Sequence, residues 1–218
     1  MWADNIGFLS QATLETLEMV VISSFFAIVL GLPLGVWLFV LRNAKLLYRP
    51  KLHDALSAAV NTIRSVPFII LLVAITPLTR LLVGSAIGTL AAMVPLTLSA
   101  IPFLARLVES ALNEVPIGLV EAALSMGAST LQIVKNVLIP EAMPTIARGI
   151  TLMSITLVGY SAMAGVVGGG GLGNVAVMYG YQRFDTRIMI VTVVILIVIV
   201  QILQWMGDSL AKRLTHNL

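Results

Sequence analysis

Apolar residues run through this chain in long uncharged blocks separated by short polar intervals, and the block lengths are those of helices that cross a lipid bilayer. From Met19 to Leu41 there is no charged residue. At 1.5 Å per residue, about 20 such residues cross a hydrocarbon core of about 30 Å. The same pattern recurs, and it predicts five helical spans over residues 19–41, 58–82, 89–105, 147–167 and 188–207. Residues 1–218 read as a single all-α membrane domain. Residues 1–18 are polar enough to lie in the membrane interface, with Trp2 and Phe8 as anchors. Gly31, Pro33 and Gly35 in the first block either bend it or let a neighbouring helix approach closely. In the third block, Pro95 and Pro102 have to be accommodated by neighbouring helices or by hydroxyls such as Thr97 and Ser99.

Residues 113–144 break the pattern, being too polar and too punctuated to span. Pro116 suits the first turn of a helix and Gly127 the residue just past a helix end, which predicts a short helix over about residues 116–126. Ser129 stands three residues before Gln132, the spacing of a capping box, so a second helix starts near Thr130. Pro140 disfavours helical geometry at Ile139, which predicts an end to that helix by Leu138. On the first helix Ile117, Val120 and Leu124 share a face, Glu121 borders it, and Ala122 and Ala123 keep the surface low. The product is a knob, a glycine elbow and a second helix.

Composition sharpens this picture. With 59% hydrophobic and 11% charged residues, and a mean hydropathy of +1.03, the chain has more apolar surface than a soluble domain of its size could bury. The net charge of +3 does not point to nucleic acid, because the basic residues lie singly and form no stripe. They do follow the positive-inside rule. With the N-terminus outside and the C-terminus in the cytoplasm, nine Lys and Arg fall inside (Arg42, Lys45, Arg49, Lys51, Arg106, Lys135, Arg148, Lys212, Arg213). Three fall outside (Arg80, Arg183, Arg187), and Arg64 sits at a boundary, as an anchor or as a charge facing the pathway or a partner chain. The absence of Lys or Arg before Arg42 is the opposite of a cleavable signal peptide.

The chemistry left to the chain is narrow. There is no cysteine, and His53 and His216 have no partner at metal-ligand spacing, so both read as solvated loop residues. Gly168 to Gly173 read as a flexible extracytoplasmic turn, and the GxxxxGK[ST] pattern of a phosphate-binding loop is absent. The ten carboxylates read as lying in loops or near span ends, unlike the midplane acids of ion-driven carriers. Energy for transport would therefore come from another chain. In the fourth block Ser154, Thr156, Tyr160, Ser161 and Met163 interrupt an apolar run and should face the protein interior or a water-filled cavity. Tyr160 and Met163, three apart, are candidates to narrow a pathway, with Ser161 beside them, or else pack helices in a dimer.

Glu121-Ala122-Ala123, three residues, Gly127, nine residues, then Val137-Leu138-Ile139-Pro140 resembles the cytoplasmic coupling loop, or EAA loop, of bacterial ABC importer permeases. Val137 and Ile139 replace the isoleucine and leucine most usual there. Together with RSVPFIILL at Arg64–Leu72, MVPLTLSAIPFLARLVESAL at Met93–Leu112 and LVGYSAMAG at Leu157–Gly165, the chain is similar over almost its whole length to the permease subunits of bacterial methionine importers. The resemblance implies a type I ABC importer permease fold, a homodimer in the inner membrane, two cytoplasmic ATPase subunits that bind ATP-Mg and dock on Glu121, Ala122, Ala123, Gly127 and Pro140, and an extracytoplasmic substrate-binding lipoprotein. It implies no cofactor or catalytic residue in this chain. The substrates it implies are methionine and close analogues. Two other readings stay open on the residues alone: an ABC permease for another small amino acid or organic solute, and a secondary carrier or membrane scaffold.

Overall fold

The structure, a computed structural model, describes residues 2–215, with side chains described from residue 7. The side chains of Trp2 and His216 thus lie outside the described residues. Ten α-helices and two π-helical turns make up the described chain, and no strand occurs among those residues. The helices are α1 (Trp2–Arg42), α2 (Pro50–Ser65), α3 (Phe68–Ala74), α4 (Thr76–Val83), α5 (Thr89–Asn113), α6 (Ile117–Ser125), α7 (Thr130–Ile133), α8 (Ile139–Val166), α9 (Gly171–Val175) and α10 (Thr186–Thr215). Four are long and apolar enough to cross a membrane, or five spans result if the bent pair α2 and α3 counts as one.

α1 is 41 residues long, about 60 Å at 1.5 Å per residue, and continues unbroken through Pro33. Residues 2–18 are therefore not a separate interfacial segment but the first half of this helix. Phe8 is partly buried and meets Tyr179 edge to face at 4.8 Å. Gly31 and Gly35 face α5 at close range: a Cβ at Gly31 would lie 2.8 Å from the Ile101 carbonyl oxygen, and one at Gly35 2.5 Å from that of Ala105. Small residues four apart let the two backbones touch, as helices do in lipid, where there is no water to squeeze out from between them. Leu38, one turn on, is fully buried with Val60 and Ala105.

α5 is the centre of the bundle, with 56% of its most apolar window buried, against 11% for α10. An apolar helix that buries so little of itself has its surface facing lipid or another chain. α5 runs from Gly88 to the 113–144 hairpin and α8 returns from it, so the hairpin and the 168–173 glycines lie at opposite ends of the bundle.

The predicted span 58–82 is not one helix. α2 and α3 meet at Val66 and Pro67 with a bend of 100°, because Pro67 has no N–H to donate and Val66 is held extended before it (φ −81°, ψ 124°). The helix predicted to stop by Leu138 does not stop. Val134–Leu138 form a π-turn in which the Ile139 N–H donates to the Val134 carbonyl, and α8 continues through Pro140. Widening the turn by one residue removes the carbonyl that the proline ring would strike.

Candidate coupling surface and translocation cavity

The hairpin between α5 and α8 is built from local signals. Gly127 has φ +80°, its N–H donates to the Leu124 carbonyl (2.9 Å), and the Ala128 N–H donates to that of Ala123 (3.1 Å), which together form a Schellman motif. Ser129 and Gln132 form the capping box, with the Ser129 N–H donating to Gln132 Oε1 at 2.8 Å. A Cβ at Gly127 would meet nothing within 4 Å, so glycine serves there for its backbone angle alone.

The face that α6 buries differs from the one its spacing suggested. Val120 and Ala123 are buried in the core, while Ile117, Leu124 and Met126 are exposed. The anchor is thus narrow, and most of α6 projects outward. Glu121, Ala122 and Pro140 are exposed too. Glu121 pairs with Lys45 Nζ, a partner from the loop after α1 that sequence separation concealed.

Beneath the knob, where α5 leads into the hairpin, lies a second group. Glu109 is 4% exposed, its Oε2 accepting from Arg106 Nη1 at 2.5 Å. Arg106 Nη2 donates to the Ser57 carbonyl (3.0 Å) and to the Ser57 hydroxyl, and His53 Nε2 stands 3.6 Å from Glu109 Oε1. His53 is therefore packed against a buried carboxylate and is not a solvated loop residue. Glu109 lies just past the predicted span end, where it is buried and holds Arg106, and Arg106 in turn bonds α5 to Ser57 of α2. The arginine and glutamate three apart in FLARLVESAL were the available signal, since that spacing puts them on one helical face.

Further along α2 its C-terminal end opens on a cavity of about 200 Å³ beneath the α2–α3 break. Arg64, Val66, Phe68, Ser99, Thr156 and Tyr160 are among its lining residues. The Phe68 and Tyr160 rings stack at 4.5 Å with their planes 4° apart. The Ser99 hydroxyl donates to the Leu96 carbonyl and the Thr156 hydroxyl to that of Leu152, both at 2.8 Å. Of the three candidate pathway residues, Tyr160 lines this cavity, while Ser161 and Met163 do not. Ser161 is 1% exposed with its hydroxyl donating to the Val158 carbonyl, and Met163 is 46% exposed. Ser154 meets Ser24 of α1 at 3.2 Å.

At the other end the glycine run is not a flexible turn. The Gly171 N–H donates to Glu15 Oε2 (2.7 Å), the Leu172 N–H to Thr16 Oγ1 (2.9 Å), and the Gly88 N–H to the Gly168 carbonyl (2.9 Å). Gly171, Leu172 and Gly173 are buried against α1 and α8. Glycines that signal freedom in a sequence here give the room for backbones to lie in contact.

The broken span over a cavity and the projecting hairpin are features of a membrane transport subunit. Residues 27–216 match the family of binding-protein-dependent transport system inner membrane components, and the chain belongs to that family. It is a multi-pass protein of the bacterial inner membrane. It is 58% identical over 216 residues to a D-methionine transport system permease of Vibrio cholerae, covering 99% of this chain and 96% of the relative. The corresponding permease of Haemophilus influenzae is 44% identical over the full length of both chains. Among solved structures, an inward-facing MetNI methionine ABC transporter superposes with a TM-score of 0.96 at 47% identity, covering 98% of this chain and 99% of that one. The type I ABC importer permease fold implied by the sequence resemblance is the fold this chain has.

Proposed function

We propose that this chain is the membrane subunit of an ATP-driven importer of methionine, the D-enantiomer included, and of its close analogues. The observation that carries the reading is full-length likeness to permeases named for D-methionine, extending to both ends of the chain. In this reading two copies form the permease, two cytoplasmic ATPase subunits hold the ATP-Mg, and an extracytoplasmic lipoprotein delivers substrate. The N-terminus lies outside and the C-terminus in the cytoplasm. Support for that orientation comes from the basic clusters after α1, at the end of α10 and around the hairpin, which gather at the hairpin end of the bundle.

Coupling follows from the hairpin's shape. Ala122, Glu121 and Pro140 are exposed, and Gly127 sets the angle of the knob in open space. The ATPase grips this knob, and closure of the ATPase pair on ATP moves the hairpin and the helices it joins. α5 and α8 begin or end at the hairpin and also line the cavity, so displacement of one carries to the other. Tyr160 borders the pathway, Met163 stands on an exposed face of the same helix, and Ser161 is buried with its hydroxyl bonded to its own helix. Substrate shifts the balance of inward and outward states only through its different affinity for each.

Uptake of labelled methionine by vesicles carrying the complete complex tests the reading. Methionine should compete and unrelated amino acids should not, and ATP depletion should stop uptake while ionophores leave it intact. Uptake of another solute in preference to methionine, or sensitivity to ionophores, would overturn it.

A further inference from the structure

A helix broken at membrane depth leaves backbone groups unpaired in hydrocarbon, which is tolerated where the break is buried in protein or lines an aqueous cavity. The 100° break at Val66–Pro67 lines one. Beside it stands Arg64, with which no carboxylate pairs among the described residues. An arginine serving as an interfacial anchor would reach for headgroups. Arg64, though exposed, also lines this cavity together with two hydroxyls and a stacked aromatic pair.

The two hydroxyls have a fixed polarity. Ser99 and Thr156 each spend their hydrogen on a carbonyl of their own helix, so their oxygens are left to accept. The lining of one small cavity thus combines a cation, two hydroxyl acceptors and a stacked aromatic pair. A cavity of about 200 Å³ is below the range of roughly 300–1,000 Å³ typical for drug-sized ligands, so it suits a single small molecule.

We propose that this cavity is a transit site for one zwitterionic amino acid, with Arg64 holding its α-carboxylate, the Ser99 and Thr156 oxygens accepting from its ammonium, and the Phe68–Tyr160 pair carrying its side chain. It rests on the methionine reading above. A thioether is polarisable and packs well on aromatic rings, so a methionine side chain suits the Phe68–Tyr160 pair. Among the described residues no carboxylate lines the cavity, so the ammonium meets no opposite charge and the ligand is held loosely enough to leave. A lysine or arginine substrate would add a second cation near Arg64 and is disfavoured.

The chain's lack of cysteine supplies the test. In the complete complex with its ATPase subunits, Val66→Cys places a single thiol of this chain in the cavity wall, and its rate of maleimide labelling reads occupancy. Methionine should slow labelling, and methioninamide, which lacks the carboxylate, should not at the same concentration. Arg64→Gln in the same background should raise the half-protecting methionine concentration by about ten- to hundredfold, the loss expected for one charge-assisted hydrogen-bonded pair. Arg64→Lys should recover part of it, which a purely structural role for the residue would not predict. Labelling unaffected by methionine in vesicles that still take methionine up, or equal protection with Arg64→Gln, would overturn the site while leaving the methionine reading standing. Vesicles of the wild-type complex that take up another amino acid but no methionine would remove the reading itself, and the ligand assignment with it.

Discussion

The two ends of this bundle use glycine for opposite purposes. At the hairpin, Gly127 has a left-handed backbone and open space around it. At the far end, Gly173 has an ordinary backbone, and a Cβ there would collide with the Ala162 backbone, while Gly170 and Gly171 combine positive φ with contact to Glu15 and Thr16. A crowded glycine reports packing within the chain. An uncrowded one, such as Gly127, reports only the backbone angle its turn needs. The same contrast holds for the carboxylates: Glu15 is spent on a backbone N–H of its own chain, whereas Glu121 is about half exposed and held by one lysine.

Substitutions at four positions would break or sharpen this contrast. Gly173→Ala should have the largest effect, because the atom it meets is backbone and cannot swing away; overpacking of this kind costs about 1–3 kcal/mol or more, and the yield of detergent-stable permease should fall sharply. Glu15→Ala should come next, with a loss of about 1.5–3 kcal/mol for a hydrogen bond to a charged group, read as a lower thermal unfolding midpoint of the purified complex. Glu15→Gln, which keeps an acceptor, should lose less.

Gly127→Val should cost only about 1–2 kcal/mol in backbone strain, leave insertion and assembly intact, and reduce substrate-stimulated ATP hydrolysis. Gly127→Asn should be closer to wild type, since asparagine tolerates the left-handed region and the site has space. If the valine variant assembles and couples normally, the elbow has no part in coupling. Lys45→Ala should be smallest, within about 1 kcal/mol in stability, because both members of the Lys45–Glu121 pair are well exposed to solvent. A larger effect on ATP hydrolysis than on stability would place the pair at the contact with the ATPase.

Much of this fold is legible in the residues themselves. Block lengths and hydropathy settle a helical membrane protein, because hydrocarbon leaves the backbone no partner but itself. Pro116, Gly127, Ser129 and Gln132 encode the hairpin through interactions no more than five residues apart, which is why its elbow and capping box could be placed. Proline was legible but ambiguous: Pro67 breaks a helix, Pro33 and Pro102 sit inside theirs, and Pro140 is passed by a π-turn. The outcome depends on whether neighbouring turns can move the clashing carbonyl.

What the tertiary structure alone decided is every relation between residues far apart in the chain. Glu121 with Lys45, Glu109 with His53, Glu15 with Gly171 and Phe68 with Tyr160 are separated by 56 to 156 positions, and no periodicity links them. Local patterns state which faces must leave water or enter lipid, but not which of several equally apolar faces will meet. That choice is made by shape, by glycines that let α1 lie on α5, and by the few polar groups that must find one another once the helices have packed.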